Sequence, residues 1–359
     1  MSEQPHGGRK FKVLLVEDSP SVRMLLVHLL AGDPQLEVIG TVSDGLAAVE
    51  FVHAHPVDVV VMDINMPRLN SIDATKRIMQ TKPVPIVVCS ATVDTRDVLV
   101  MFQAMQAGAI ACIEKPVAVS DPQKAQRLVE TVKRMAEVKF AQRQELPAPV
   151  PRLRAAHLAR PSAPIKLVGI GTSTGGPAAL QAVLSGLPSD FPVPILVVQH
   201  ITAGFLPGMV ASMNESLDLT VEIARSGVRP MPGHVYLAAD DRHLGVDVNG
   251  LIALCTNAPE NYVRPAASFL FRSMLKAYGR NVIGVLLTGM GRDGADELLA
   301  MRAAGAFTIA QDERTSVVHG MPGAAIENGA AKFVLPLAEV SKALITLTCR
   351  RRAAKDAEP

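Results

Sequence analysis

The chain of 359 residues predicts an α/β protein made of two doubly wound parallel-sheet domains. Three observations predict it. Short apolar runs that read as strands buried on both faces alternate with helical stretches, the rhythm of βαβ units. Nearly every such run ends in a residue able to do chemistry, as expected where the carboxyl ends of parallel strands line a crevice. A proline-rich stretch without periodicity divides the chain into residues 11–138, a linker over 139–164 and residues 165–349.

In the first domain, Lys12–Val16 reads as a buried strand ending in the pair Glu17-Asp18, and a helical stretch runs from Val22 to Leu30. Leu46–His53 is a second helical stretch, and Asp58–Met62 a strand that ends at Asp63, followed by Asn65. Ile86–Cys89 leads to Ser90, and Ala109–Ile113 leads to Glu114-Lys115. Three carboxylates at one sheet edge repel one another, and a hard divalent cation with oxygen ligands, Mg2+, relieves that. Asp63 then becomes a phosphoryl acceptor, with Lys115 as a mobile counter-charge and Ser90 as a hydroxyl that swings to the new oxygens. Reading these groups as mere solvated strand ends must explain five placements at four successive strand ends.

In the second domain, Ile165–Ile170 reads as a buried strand running straight into Gly171-Thr172-Ser173-Thr174-Gly175-Gly176. Glycines beside a serine permit a sharp strand-to-helix bend and the close approach of a carbonyl. A phosphate loop requires Lys where Pro177 stands, and a dinucleotide fingerprint requires Gly where Thr174 stands, so Ser173 reads as a nucleophile. Its base and orienting acid are sought at other strand ends. Pro194–Gln199 ends at His200, and Val282–Leu287 runs into Thr288–Gly294, which holds Asp293. Asp293 has a bland alternative as N-cap of a helix over Ala295–Ala304. The order Ser, His, Asp differs from that of ordinary α/β-hydrolases and implies another sheet topology.

On these residues, positions from about 12 to 137 resemble a response-regulator receiver domain. Positions from about 165 to 348 resemble the catalytic domain of chemotaxis protein-glutamate methylesterases, through residues 171–177, Gln199–Phe205 and Leu287–Ala295. Pro232–Tyr236, Leu270–Ser273 and Gln311-Asp312 match as well. The resemblance implies hydrolysis of glutamate γ-methyl esters, and deamidation of certain glutamines, on cytoplasmic helices of a chemoreceptor, opposing the receptor methyltransferase. It implies Ser173, His200 and Asp293 as catalytic residues, with the oxyanion held by the amides of Met290 and Thr174. It implies Mg2+ at Glu17, Asp18, Asp63 and Asn65, phosphorylation of Asp63 by a histidine kinase, and Ser90 and Lys115 as the switch that relieves inhibition of the hydrolase. Two positions depart from the pattern: Cys112 stands where receivers commonly carry Phe or Tyr, and Ala266-Ala267-Ser268 where methylesterases usually read Ser-Val-Asp.

Composition narrows the partners. A net charge of +2 and the absence of tryptophan give no reason to propose nucleic acid. Arg350-Arg351-Arg352 reads as solvated charge. Cys89, Cys112, Cys255 and Cys349 form no metal spacing, Cys89 and Cys112 in apolar strand context read as reduced buried thiols, and no apolar run approaches a membrane span, so a cytoplasmic enzyme without direct membrane insertion is expected. Two rivals are a phosphorylation-dependent scaffold with an idle triad and a receiver with DNA output. The intact triad residues oppose the first, and the lack of a helix-turn-helix or a concentrated basic face opposes the second.

Overall fold

The computed structural model describes residues 9–91, 95–116, 121–138 and 163–348, and the chain divides into two compact units. The linker expected over 139–164 lies almost wholly outside the described residues, as do Cys349 and the three arginines after it.

The first unit runs β1 (Phe11–Val16), α1 (Pro20–Ala31), β2 (Leu36–Val42), α2 (Gly45–Ala54), β3 (Val59–Asp63), α3 (Ser71–Thr81), β4 (Ile86–Ser90), α4 (Thr95–Gln106), β5 (Ala111–Glu114) and α5 (Pro122–Ala136). Its five strands are parallel in the order β2-β1-β3-β4-β5. Helices α1 and α5 pack together, and α3 packs against α2 and α4. Strands β3 and β4 are buried at every residue, which is why they read as unbroken apolar runs rather than alternating ones. The strand order reverses between β1 and β3, so the loops after them open a crevice at the carboxyl edge. Glu17, Asp18 and Asp63 sit there.

The second unit runs β6 (Leu167–Thr172), α6 (Gly176–Leu184), β7 (Ile195–Gln199), α7 (Leu206–Ser216), β8 (Thr220–Ile223), β9 (His234–Leu237), β10 (His243–Val246), β11 (Ile252–Cys255), α8 (Ala267–Tyr278), β12 (Val282–Leu286), α9 (Ala295–Ala303), β13 (Phe307–Gln311), α10 (Met321–Glu327), β14 (Phe333–Leu335) and α11 (Leu337–Thr348). Seven strands form one sheet in the order β14-β13-β12-β6-β7-β9-β8, every pair parallel. The two predicted doubly wound parallel sheets are therefore both present, and the second unit adds an antiparallel hairpin, β10–β11. Four-residue strands joined by a polar turn carry too little periodicity for the sequence to announce that hairpin.

The second core is built where α8, α9 and α10 meet β6, β12 and β13. Phe271, Met274, Leu286, Leu298 and Met301 are fully buried there. The hairpin packs on α8, which fixes that helix from the side away from the sheet. The order reverses at β6, flanked by β12 and β7, so the crevice falls at the ends of these three strands.

Candidate active site

The backbone joins the three strand ends directly. Ser173 N–H donates to Thr288 O at 3.0 Å and His200 N–H to Thr172 O at 3.0 Å, and the Thr172 hydroxyl donates to Thr288 O at 3.0 Å. The turn after β6 closes with Gly175 at φ 75°, the left-handed N-cap of α6, where a Cβ would also lie 2.7 Å from Val317. Both facts demand glycine. Gly289 is needed for approach instead: a Cβ there would lie 2.8 Å from the Cβ of Ser173.

His200 and Asp293 are brought together, Nε2 to Oδ2 at 3.0 Å. A carboxylate can only accept, so Nε2 carries the proton in this bond and Nδ1 stands outside it. Asp293 is buried and accepts three further N–H groups: Ala267 N at 2.6 Å, Ser268 N at 3.1 Å and Asn261 Nδ2 at 3.1 Å. Burial pushes its pKa up, but the bonds and charge of His200 and the amides of Ala267 and Ser268 overcome this and hold the carboxyl below its ordinary value. The expected capping role is thus relocated. Helix α9 begins after the left-handed Gly294 with no side-chain cap, while Asp293 takes the first amides of α8, whose own N-cap residue, Ala266, has no side-chain acceptor.

Ser173 is half-buried beside this pair. Among the described residues its hydroxyl makes no hydrogen bond, so the structure joins it to His200 through the main chain and through Gln199. One Gln199 Nε2 donates to both Ser173 O at 2.9 Å and His200 O at 2.8 Å. The amides of Thr174 and Met290 find no acceptor among the described residues, which leaves two donors at the turns that follow β6 and β12.

The sequence reading missed Asn261, the buried His243 and the clamping role of Gln199. His243 Nε2 donates to Ala258 O at 3.0 Å, and its Nδ1 accepts Ala266 N–H at 3.2 Å at the entry to α8. Asn261 has φ 51° in a two-residue turn closed by Glu260 and Val263. An Asn before a Tyr offers no metal or acid–base pattern, and only the turn propensity of Asn was there to be seen.

In the first unit, Glu17, Asp18 and Asp63 each place a carboxylate oxygen within 4.8 Å of the others. Lys115 Nζ bridges Glu17 Oε2 at 2.6 Å and Asp63 Oδ1 at 2.7 Å. Burial pushes Glu17 and Asp63 above their ordinary pKa values in spite of that lysine. Burial likewise works against the Lys115 charge, but the two carboxylates win and hold it ionised. One cation for three carboxylates leaves the pocket short of positive charge, and its hard oxygen donors fit Mg2+. The Asn65 backbone N–H is directed to Asp63, and Ser90 Oγ donates to Asp97 Oδ2 at 2.6 Å.

Two family models match the chain: the response regulator receiver domain over residues 13–127 and CheB methylesterase over residues 168–344. A protein-glutamate methylesterase/protein-glutamine glutaminase of Nitrosospira multiformis is 46% identical over 96% of this chain and 98% of its own. One of the same name from Geobacter metallireducens is 48% identical over 95% of this chain and 99% of its own. The crystal structure of the CheB methylesterase catalytic domain of Thermotoga maritima is 40% identical, covers 51% of this chain and 98% of its own, and superposes with a TM-score of 0.49.

Proposed function

The chain belongs to the CheB methylesterase family with a receiver domain in front, and from that premise we propose that Ser173, His200 and Asp293 hydrolyse glutamate γ-methyl esters, and deamidate glutamines, on the cytoplasmic helices of a chemoreceptor. The observation that carries this reading is the His200–Asp293 bond at the sheet's switch point, beside Ser173. Its domains are a receiver over 11–138, a linker over 139–164 and the hydrolase over 165–349.

On this reading each group has one task. Nδ1 of His200, left basic by the Nε2 bond to Asp293, accepts the Ser173 proton as the hydroxyl attacks the ester carbonyl. Hydrogen bonds of this kind commonly tighten only when substrate arrives. The free amides of Met290 and Thr174 stabilise the oxyanion. The imidazolium, steadied by Asp293, then protonates the departing methoxide oxygen, which leaves as methanol, and water releases the glutamate by the reverse sequence. An amide leaving group is expelled less readily than methoxide, so deamidation is the slower reaction.

Control lies in the first unit. Glu17, Asp18, Asp63 and the Asn65 position would hold Mg2+, which would supply charge neutralisation for an incoming phosphoryl group. Asp63 accepts that group from a histidine kinase. Lys115 and Ser90, committed to Glu17, Asp63 and Asp97 beforehand, are drawn to the phosphoryl oxygens and bias a two-state surface. The enzyme works in the cytoplasm and reaches the membrane only through its receptor; no helix among the described residues is long and apolar enough to cross one.

The deciding experiment follows methanol release from a methylated receptor fragment. Ser173→Ala is expected to lower it at least about a thousandfold, and unchanged release refutes the mechanism.

A further inference from the structure

We propose that Asn261 is a positioning residue of the hydrolase: its carboxamide holds the orienting carboxylate through one oxygen while the imidazole uses the other. The proposal deepens the reading of Ser173, His200 and Asp293 as a triad and rests on it.

The geometry is specific. Asn261 Nδ2 lies 3.1 Å from Asp293 Oδ1 and 3.0 Å from Ser268 Oγ, so one amide group spans the carboxylate and its neighbour. Ser268 Oγ in turn accepts Gly294 N–H at 3.0 Å, and Gly294 follows Asp293 in the chain. Asp293 is therefore gripped from two directions, by the start of α8 through main-chain amides and by the 260–263 turn through a side chain. A carboxylate held at both oxygens cannot rotate away when the imidazole moves. Without Asn261, Oδ1 keeps only the Ser268 amide at 3.1 Å, and the carboxylate is held less firmly at that oxygen than at Oδ2.

The backbone supports the same conclusion. Asn261 and Tyr262 both adopt left-handed conformations, φ 51° and 65°, in a turn whose ends are tied by reciprocal Glu260–Val263 hydrogen bonds. Tyr262 is fully exposed at 102% and finds no packing to compensate its conformation, which a bulky residue adopts at a cost. The turn is tight, and from it the exposed Asn261 reaches Asp293 and Ser268 with its amide.

The groups that face Asp293 are few. His200 is the titratable side chain in contact with it; His243 on β10 is taken up by Ala258 and Ala266, and Arg292 by Asp296 at 2.9 Å. A change of charge at position 261 is thus felt at the His200–Asp293 pair.

The test uses the full chain and two substrates, a methylated receptor fragment and a small activated acetate ester that reports on the triad alone. Asn261→Gly keeps the left-handed turn and removes the amide. Its kcat is expected to fall roughly tenfold to a hundredfold on both esters, the scale of a lost hydrogen bond to a charged group, with KM within about twofold. Asn261→Asp keeps the size and turn preference but sets a second carboxylate against the first. Its kcat is expected to fall, and the acidic limb of its pH–rate profile to move to higher pH, because the added negative charge favours the protonated imidazole. A purely structural role would leave kcat unchanged in an Asn261→Gly chain that melts normally. Wild-type kcat in Asn261→Gly overturns the proposal. Should that variant fail to fold by circular dichroism, wild-type kcat with an unmoved limb in Asn261→Asp overturns it. The small ester separates the two readings: a normal rate there refutes the role of Asn261 whether or not the receptor proves to be the substrate.

Discussion

At the residue scale, the orienting carboxylate is the group on which most of the site converges. Because Asp293 titrates below its ordinary value of 3.8, its contribution to stability is complete above that value and is lost as pH falls through the lower, folded one. The stability gap between the chain and Asp293→Asn, measured by urea unfolding, is therefore expected to be present at neutral pH and to close on acidification below about pH 4; a gap that widens in acid contradicts this. Gln199→Leu removes both clamps on the main chain of Ser173 and His200, and a kcat loss of about tenfold or more is expected on ester substrates. The proposed nucleophile, base and acid were legible in the sequence because Ser173 and His200 directly follow buried apolar strands and Asp293 lies in the loop that a third such strand runs into. Asn261 and His243 were not. They act through bonds to main-chain and carboxylate groups far away in the chain, and no local pattern encodes such a partner.

At the element scale, the turn from β6 into α6 is the least forgiving segment. Gly175→Ala places a Cβ at φ 75° and 2.7 Å from Val317, and a loss of about 1–3 kcal/mol is expected in thermal or urea unfolding. The central strands were legible as apolar runs because both their faces are covered. Strands β2 and β8 were not, because both are edge strands, the former with a single fully buried residue and the latter only four residues long. Helix α1 begins at Pro20 rather than Val22 because proline suits the first helical turn. The cap of α8 was illegible for a different reason: its acceptor, Asp293, comes from a loop beyond the next strand, so reading outward from Ala266 finds nothing.

At the scale of the whole molecule, two parallel sheets each place acidic or nucleophilic groups where their strand order reverses. This much followed from the motifs, since charged groups at successive strand ends have one edge on which to gather. Asp63→Asn is expected to leave basal hydrolysis intact and to abolish its stimulation by a small phosphodonor with Mg2+; stimulation equal to that of the parent refutes the assignment. The thiols report on integrity. Burial pushes Cys112 up to about 12 and Cys89 higher still, so both are expected to resist iodoacetamide at pH 8 until the first unit unfolds, whereas half-exposed Cys255 reacts first; early modification of Cys89 in folded chain would show the β4 environment to be open.

The four N–H groups that converge on Asp293 carry a last consequence. Its lone pairs are occupied, and two of the donors, the Ala267 and Ser268 amides, cannot be given up without breaking the start of α8, so it has no room to receive a proton. The charge created when serine is deprotonated stays on the imidazole, and one hydrogen alone is in flight at the barrier. Rates measured across mixtures of light and heavy water should then fall along a straight line rather than a bowed one.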